Sequence, residues 1–236
     1  MIKVVSFKIC PFVQRVTAML EAKGLEYAVE YISLKDKPQW FLDVSPNGQV
    51  PVLITEGGAA LFESDAIVEY LDEVFPPLLP GLSPEDRARN RAWAYLAAKT
   101  YLVQCSAQRS PDRAELARRA AKLHTAFDTI ETKLNGAAFF SGDRIGPVDI
   151  AWLPLLHRAE IVARRAGYDF IGVRPKLKAW QRQILSTGLA KRSVAADFDA
   201  DFAAFYLSED TYLGRGPREA AAAAPAPGAV AGCACC

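Results

Sequence analysis

"VSFKICPFVQRVTAMLEAKG", residues 5–24, runs from an apolar, β-branched segment through Cys10 and Pro11 into a pattern of helical period. Phe12, Val16, Met19 and Leu20 recur at helical spacing, and Gly24 supplies a stop. Upstream, "IKVVSF" (2–7) reads as a strand, and downstream "YAVEYI" (27–32) reads as another. The order strand–helix–strand places Cys10 at the start of the helix, with Pro11 as its first residue, where a missing N–H costs nothing. Unpaired N–H groups and the helix dipole there favour an anion. A cysteine reacts as the thiolate, and its ordinary pKa of about 8.5 falls by one to several units in such a place. The motif is C-P-F-V, so Val13 stands where a dithiol motif carries its second cysteine. A redox cycle at Cys10 therefore needs a thiol from a soluble partner, and glutathione is the natural candidate. The competing reading is an inert, buried cysteine.

Further along, "PVLI" (51–54) and "AALF" (59–62) flank Glu56-Gly57-Gly58 and read as a hairpin, and Ser64 reads as the N-cap of "DAIVEYLDEVF". The proline of "QVPVL" (49–53) opens a strand after the turn-like "SPNG". A cis bond at Pro51 would leave the backbone of Val50 open to an extended ligand. Ser64 and the free N–H groups behind it suit a carboxylate, while Glu63 suits an ammonium; an α-amino acid end needs both. A turn proline and an ordinary cap are the plainer readings of the same residues.

"PPLLPGLSPED" (76–86) is a proline-rich connector. Beyond it the signals are helical to about Leu207. "DIAWLPLLHRAEIV" (149–162), apolar nearly all round, reads as a central buried helix, with Pro147 and Asp149 suited to its start. The divisions are thus 1–76, a small α/β domain; 77–86, a linker; 87–207, an all-α domain; and 208–236, a disordered Ala/Pro/Cys-containing tail. The terminal "GCACC" bears a loose likeness to lipidated cysteine ends but lacks a basic patch and the usual aliphatic positions.

Composition narrows the function classes. Lys and Arg total 28 against 27 Asp and Glu, a net charge of +1 that gives no electrostatic case for nucleic acid or an anionic membrane. The longest strongly apolar stretch, "IAWLPLL" (150–156), is too short to span a bilayer. Five cysteines, three of them in the last four positions, are no disulfide framework, so a reducing cytoplasmic compartment is expected. Only two histidines, His124 and His157, are present, and no metal site is expected.

"CPFVQRVTAMLEAKG" (10–24), "KDKPQWFLDVSPNGQVPVL" (35–53) and "FESDAIVEYLDEVFP" (62–76) together resemble the N-terminal domain of cysteine-type glutathione transferases, above all the omega class and plant dehydroascorbate reductases. The resemblance extends over roughly residues 1 to 205. It implies a thioredoxin-like domain followed by an all-helical one, with glutathione as co-substrate lying across the first. It implies that Cys10 is the catalytic cysteine and Phe12 the aromatic beside it. Lys37 would bind the glycyl carboxylate, Val50 would pair its backbone with the cysteinyl unit before cis-Pro51, and Glu63 and Ser64 would grip the γ-glutamyl end. A second-substrate pocket would draw on the helical domain, for which Tyr95, Tyr101, Cys105, Trp152 and Arg158 are candidates, each equally readable as core or helix surface. Gly146 departs from the Ser or Thr cap of many relatives.

The activity so implied is a thiol transferase or dehydroascorbate reductase, in which Cys10 forms a mixed disulfide with glutathione that a second glutathione resolves. A glutathione-conjugate lyase and a conjugating transferase are alternatives within the family. Chloride intracellular channel proteins share the fold and a C-P-F segment and stand for a non-catalytic role, against which the D-K-P-x-W-F stretch (36–41) and the charge balance argue. Many relatives pair into homodimers, so a homodimer is the expected assembly.

Overall fold

A computed structural model describes residues 1–216 of the chain. The first part runs β1 (Ile2–Ser6), α1 (Pro11–Lys23), β2 (Tyr27–Tyr31), α2 (Gln39–Val44), β3 (Val52–Ile54), β4 (Ala60–Phe62) and α3 (Ser64–Val74). Its four strands form one sheet in the order β2-β1-β3-β4. β1 pairs with β2 in parallel, because the α1 crossover returns the chain to the same end of the sheet; β3 runs antiparallel to β1, and β4 antiparallel to β3. Val4 and Val5, neighbours pointing to opposite faces, are both fully buried, as befits a central strand covered on both sides.

α1 is buried over most of its circumference. Val13, Val16, Met19 and Leu20 are enclosed as an amphipathic helix requires, but so are the polar Gln14, Arg15 and Thr17. The reason is position: α1 packs against α3 of its own layer and against α6 of the helical part. It ends at Gly24, whose φ of 65° is left-handed and costs little only for glycine.

The helical part comprises α4 (Pro84–Gln108), α5 (Arg113–Glu131), α6 (Pro147–Ala166), α7 (Pro175–Ser186), α8 (Leu189–Arg192), α9 (Phe198–Tyr206) and α10 (Tyr212–Arg215). α6 is its buried centre, touching α4, α7 and α1. Its start is held by Asp149, whose carboxylate accepts from the N–H of Gly146 (2.8 Å), the N–H of Phe140 (2.9 Å) and the indole N–H of Trp180 (2.7 Å). A Cβ added at Gly146 would lie 2.6 Å from Leu79 Cδ1, so a connector side chain fills the space a capping Ser or Thr needs.

Two expectations need correction. The helical domain begins at Pro84 rather than 87, because Ser83 caps α4 by accepting from the N–H of Asp86. Residues 208–216 do not belong to a disordered tail: Tyr212 and Leu213 are buried, and the N–H of Tyr212 donates to Ser110 O at 2.8 Å. Cys233, Cys235 and Cys236 lie outside the described residues. No helix among the described residues is long and apolar enough to cross a membrane.

Candidate active site

Cys10 is the N-cap residue of α1, with φ −75° and ψ 124°, and Pro11 is the first helical residue. The N–H of Cys10 donates to Phe7 O at 3.0 Å, and its carbonyl accepts from the N–H of Gln14 at 3.1 Å. The first turn of α1 carries no acidic side chain, so its positive end is not offset locally. Cys10 is 1% exposed. It borders a cavity of about 600 Å³ together with Ser6, Lys8, Gln14 and Tyr31.

Beside this helix end lies a narrow groove lined by Phe12, Asn47, Gln49, Val50, Pro51, Glu63 and Ser64. It brings together five of the seven residues singled out above for glutathione and its reaction, drawn from α1, the turn before β3 and the start of α3. The Val50–Pro51 peptide is cis, and the β3 ladder begins only at Val52, so Val50 stands outside it. Cys10 lies two residues before Phe12 rather than on the groove wall. Lys37 sits in the loop before α2, its Nζ 3.6 Å from where a Cβ on Gly48 would be, which sets the ammonium over the last residue of the SPNG turn.

The expectation for Ser64 is corrected in one respect. Ser64 is the first residue of α3, and Glu63 is the N-cap. Glu63 is also the one non-glycine residue with positive φ among the described residues, at 65°. Such a backbone is unfavourable for a side-chain-bearing residue and persists where its surroundings hold it. One restraint is Asn47, whose amide donates to Glu63 Oε1 at 2.8 Å. Asn47 and Gln49 escaped the sequence reading, which took SPNG only as a turn. The signal was there: an amide on each side of Gly48 immediately before the strand proline.

Behind the groove is a buried polar cluster. Arg15, 2% exposed, pairs with Asp65 in the first turn of α3, tying α1 to the helix that starts with Ser64. Gln14 donates to Ala190 O at 3.3 Å and meets His157 Nδ1 at 2.9 Å. Burial, reinforced by Arg158, pushes the His157 pKa down to about 3. Its folded value thus lies below the unfolded 6.5, so its stabilising contribution is full above pH 6.5 and falls away as pH drops toward 3. Acidification from pH 6.5 to 5 should cost about 2 kcal/mol through this group. In His157→Gln the urea-unfolding midpoint should change less over that range; an unchanged pH dependence would remove His157 as its source.

The five pocket candidates are not gathered into one wall. Tyr101 is fully buried, donates to Ala151 O and meets the Phe12 ring edge-on at 5.0 Å between centroids. Cys105 is enclosed within α4. Trp152 packs on Phe127 and Trp180 and donates to Trp93 O at 3.1 Å, a core position. Arg158 is fully buried. Tyr95 borders a cleft shared with Glu69, Leu79 and Arg91 that has no residue in common with the groove. The sequence placed these side chains on helices but not on faces, and four of the faces turned inward. A different, largely apolar cavity of about 500 Å³ adjoins the Cys10 loop, lined by Phe7, Ile9, Ile32, Ala204 and Phe205. Among the described residues no cluster of His, Cys, Asp or Glu is placed to hold a metal ion.

Family models for the glutathione S-transferase N-terminal and C-terminal domains match residues 9–74 and 113–182. The chain is 32% identical to glutathione S-transferase omega-1 of Rattus norvegicus over 218 residues, covering 88% of this chain and 87% of that protein. It is 35% identical to glutathione S-transferase DHAR2 of Arabidopsis thaliana over 155 residues, 64% of this chain and 68% of that one. The crystal structure of rice GST1 in complex with glutathione superposes with a TM-score of 0.74 at 26% identity, covering 87% of this chain and 97% of that one. With the thioredoxin-like sheet, the helical second domain and a cysteine capping α1 all in place, the chain belongs to the glutathione S-transferase family, and its likeness is to the omega and DHAR members.

Proposed function

We propose that the protein is a glutathione-dependent thiol transferase that reduces dehydroascorbate or glutathionylated thiols, with Cys10 as the nucleophile. One observation carries this reading: a cysteine caps α1 directly beside a groove with Val50, Glu63 and Ser64 on its walls. With a mixed disulfide as substrate, the Cys10 thiolate attacks the glutathionyl sulfur and the other thiol departs with the electron pair. Cys10 is then disulfide-bonded to glutathione. The thiolate of a second glutathione attacks the glutathionyl sulfur, regenerating the Cys10 thiolate and releasing oxidised glutathione. Dehydroascorbate draws the same two electrons from two glutathione molecules. Glu63 and Ser64 hold the α-amino and carboxylate groups of the γ-glutamyl unit, Val50 pairs with the cysteinyl backbone, and Lys37 meets the glycyl carboxylate.

The conjugating alternative is weaker, because it needs a hydroxyl donor facing the glutathione sulfur. Thr17 already donates to Ser193 O at 2.7 Å, and Tyr101 to Ala151 O. The apolar cavity at Phe7, Ile9 and Phe205 favours a second reading, in which Cys10 removes glutathione from a conjugate with an aromatic group. Steady-state assays decide between them: glutathione-dependent turnover of dehydroascorbate and of β-hydroxyethyl disulfide for the first, of an aromatic-ketone conjugate of glutathione for the second. Turnover of the conjugate alone would reverse the assignment.

Ser64→Ala removes the hydroxyl and keeps the helix N–H groups. A hydrogen bond to a charged group is worth about 1.5–3 kcal/mol, so the Kd for glutathione, read by calorimetry, should rise at least about tenfold. An unaltered Kd would mean that the γ-glutamyl end binds elsewhere.

A further inference from the structure

Arg158 is fully buried, and among the described residues every hydrogen-bond partner of its guanidinium is neutral. Nη1 donates to the side-chain carbonyl of Gln14 and to Pro154 O at 3.1 Å; Nη2 donates to Ile9 O at 3.2 Å. Among the described residues Nε has no hydrogen-bond partner. The other buried guanidinium of this cluster, that of Arg15, is matched by Asp65, whereas no ion pair among the described residues involves Arg158. An uncompensated buried charge is costly and calls for a counter-ion.

The place of this charge is informative. Ile9 precedes Cys10, so the guanidinium stands one peptide unit from the N-cap of α1. A helix N-terminus is already partially positive, and its first turn holds no carboxylate. Two positive contributions therefore meet where Cys10 provides an ionisable thiol. The other groups facing this region do not neutralise them. His157 of α6 is held neutral above pH 3, Tyr101 of α4 is kept protonated by burial, and Asp65 of α3 is taken by Arg15. Lys8, ahead of Cys10 in the loop, pairs with Asp197, the N-cap of α9, and with Asp201 of α9 in an exposed, solvent-screened cluster.

We propose that Arg158 is a positioning residue supplied by the helical domain, whose buried charge is completed by the ionised Cys10 and whose Nη2 fixes the Ile9 carbonyl so that the N-cap keeps its geometry. The inference rests on Cys10 as the nucleophile, and it makes the thioredoxin-like domain dependent on its partner domain for a reactive thiol. The guanidinium over the Phe198 ring, 5.3 Å from its centroid, extends the dependence to α9.

The test is the pH profile of Cys10 alkylation by iodoacetamide, followed on the Cys10 peptide by mass spectrometry in the full chain without glutathione. Arg158→Gln should raise the midpoint by about one pH unit or more, slowing alkylation at pH 7 about tenfold, and Arg158→Lys should restore most of the shift. Gln14→Glu leaves the guanidinium in place but sets a carboxylate against it, and should also raise the midpoint; it serves if the Arg158 variants do not fold. Wild-type midpoints in Arg158→Gln, an Arg158→Lys no better than Arg158→Gln, or an unmoved midpoint in Gln14→Glu where it alone folds, would each overturn the proposal. Failure of the underlying reading shows differently, as turnover that survives Cys10→Ser.

Discussion

Cys10→Ser reduces glutathione-dependent turnover of dehydroascorbate and β-hydroxyethyl disulfide to the uncatalysed rate, a loss of at least about a thousandfold. The reasoning is chemical. A serine hydroxyl stays protonated at a helix N-terminus that suffices to ionise a thiol, and it forms no disulfide, so the mixed-disulfide intermediate has no counterpart. The groove does not include the Cys10 side chain among its walls, so glutathione binding should persist. Calorimetry on the variant should give a Kd within about twofold of wild type while kcat collapses. Residual turnover above a few per cent would place the nucleophile elsewhere. Loss of binding together with turnover would show that the substitution disturbs the start of α1 rather than the chemistry.

Asp149→Ala costs about 3 kcal/mol of stability, the largest expected effect away from Cys10. One carboxylate accepts from Phe140, Gly146 and Trp180, and its removal strands three donors inside the molecule; an unsatisfied buried group costs about 1–3 kcal/mol, with some recovered by relaxation. Asp149→Asn should lose about half as much, since its single oxygen serves some of the donors while its amide faces another. Urea unfolding measures both, and a loss below 1 kcal/mol in Asp149→Ala would mean that α6 does not depend on this start. The same burial pushes the Asp149 pKa up to about 6, above the unfolded 3.8. Its contribution is therefore full below pH 3.8 and diminishes as pH rises through 6, opposite in sign to that of His157. Asp149→Ala should accordingly steepen the acid lability of the protein between pH 6 and 4.

The chemistry-bearing motifs stood in local sequence. A cysteine before a proline at the head of a helical pattern, a proline opening a strand, and an acidic residue before a serine at another helix start each follow from neighbours in the chain. So did the four strands, α1, α3 and the Gly24 stop, because periodicity and caps are short-range signals. The register of Glu63 and Ser64 was off by one position, since the positive φ of Glu63 is imposed partly by Asn47, sixteen residues away. The Gly146 departure made sense only once Leu79 was found in the space a side chain would occupy.

The helical domain shows where local reading ended. Tyr101, Cys105, Trp152 and Arg158 were correctly placed on helices, yet periodicity in a helix that is apolar nearly all round says nothing about which neighbour each face meets. Only the packing of α6 against both α4 and α1 turned Trp152 into core and set Arg158 against the Ile9 carbonyl, 149 residues away in the chain. By itself, the sequence determined the two-domain fold, the candidate nucleophile and five of the groove residues beside it, because these depend on backbone conformations encoded within a few residues. The tertiary structure alone decided which charges surround that nucleophile and which cavity adjoins it, because burial and counter-charge are properties of surfaces brought together only when the domains pack.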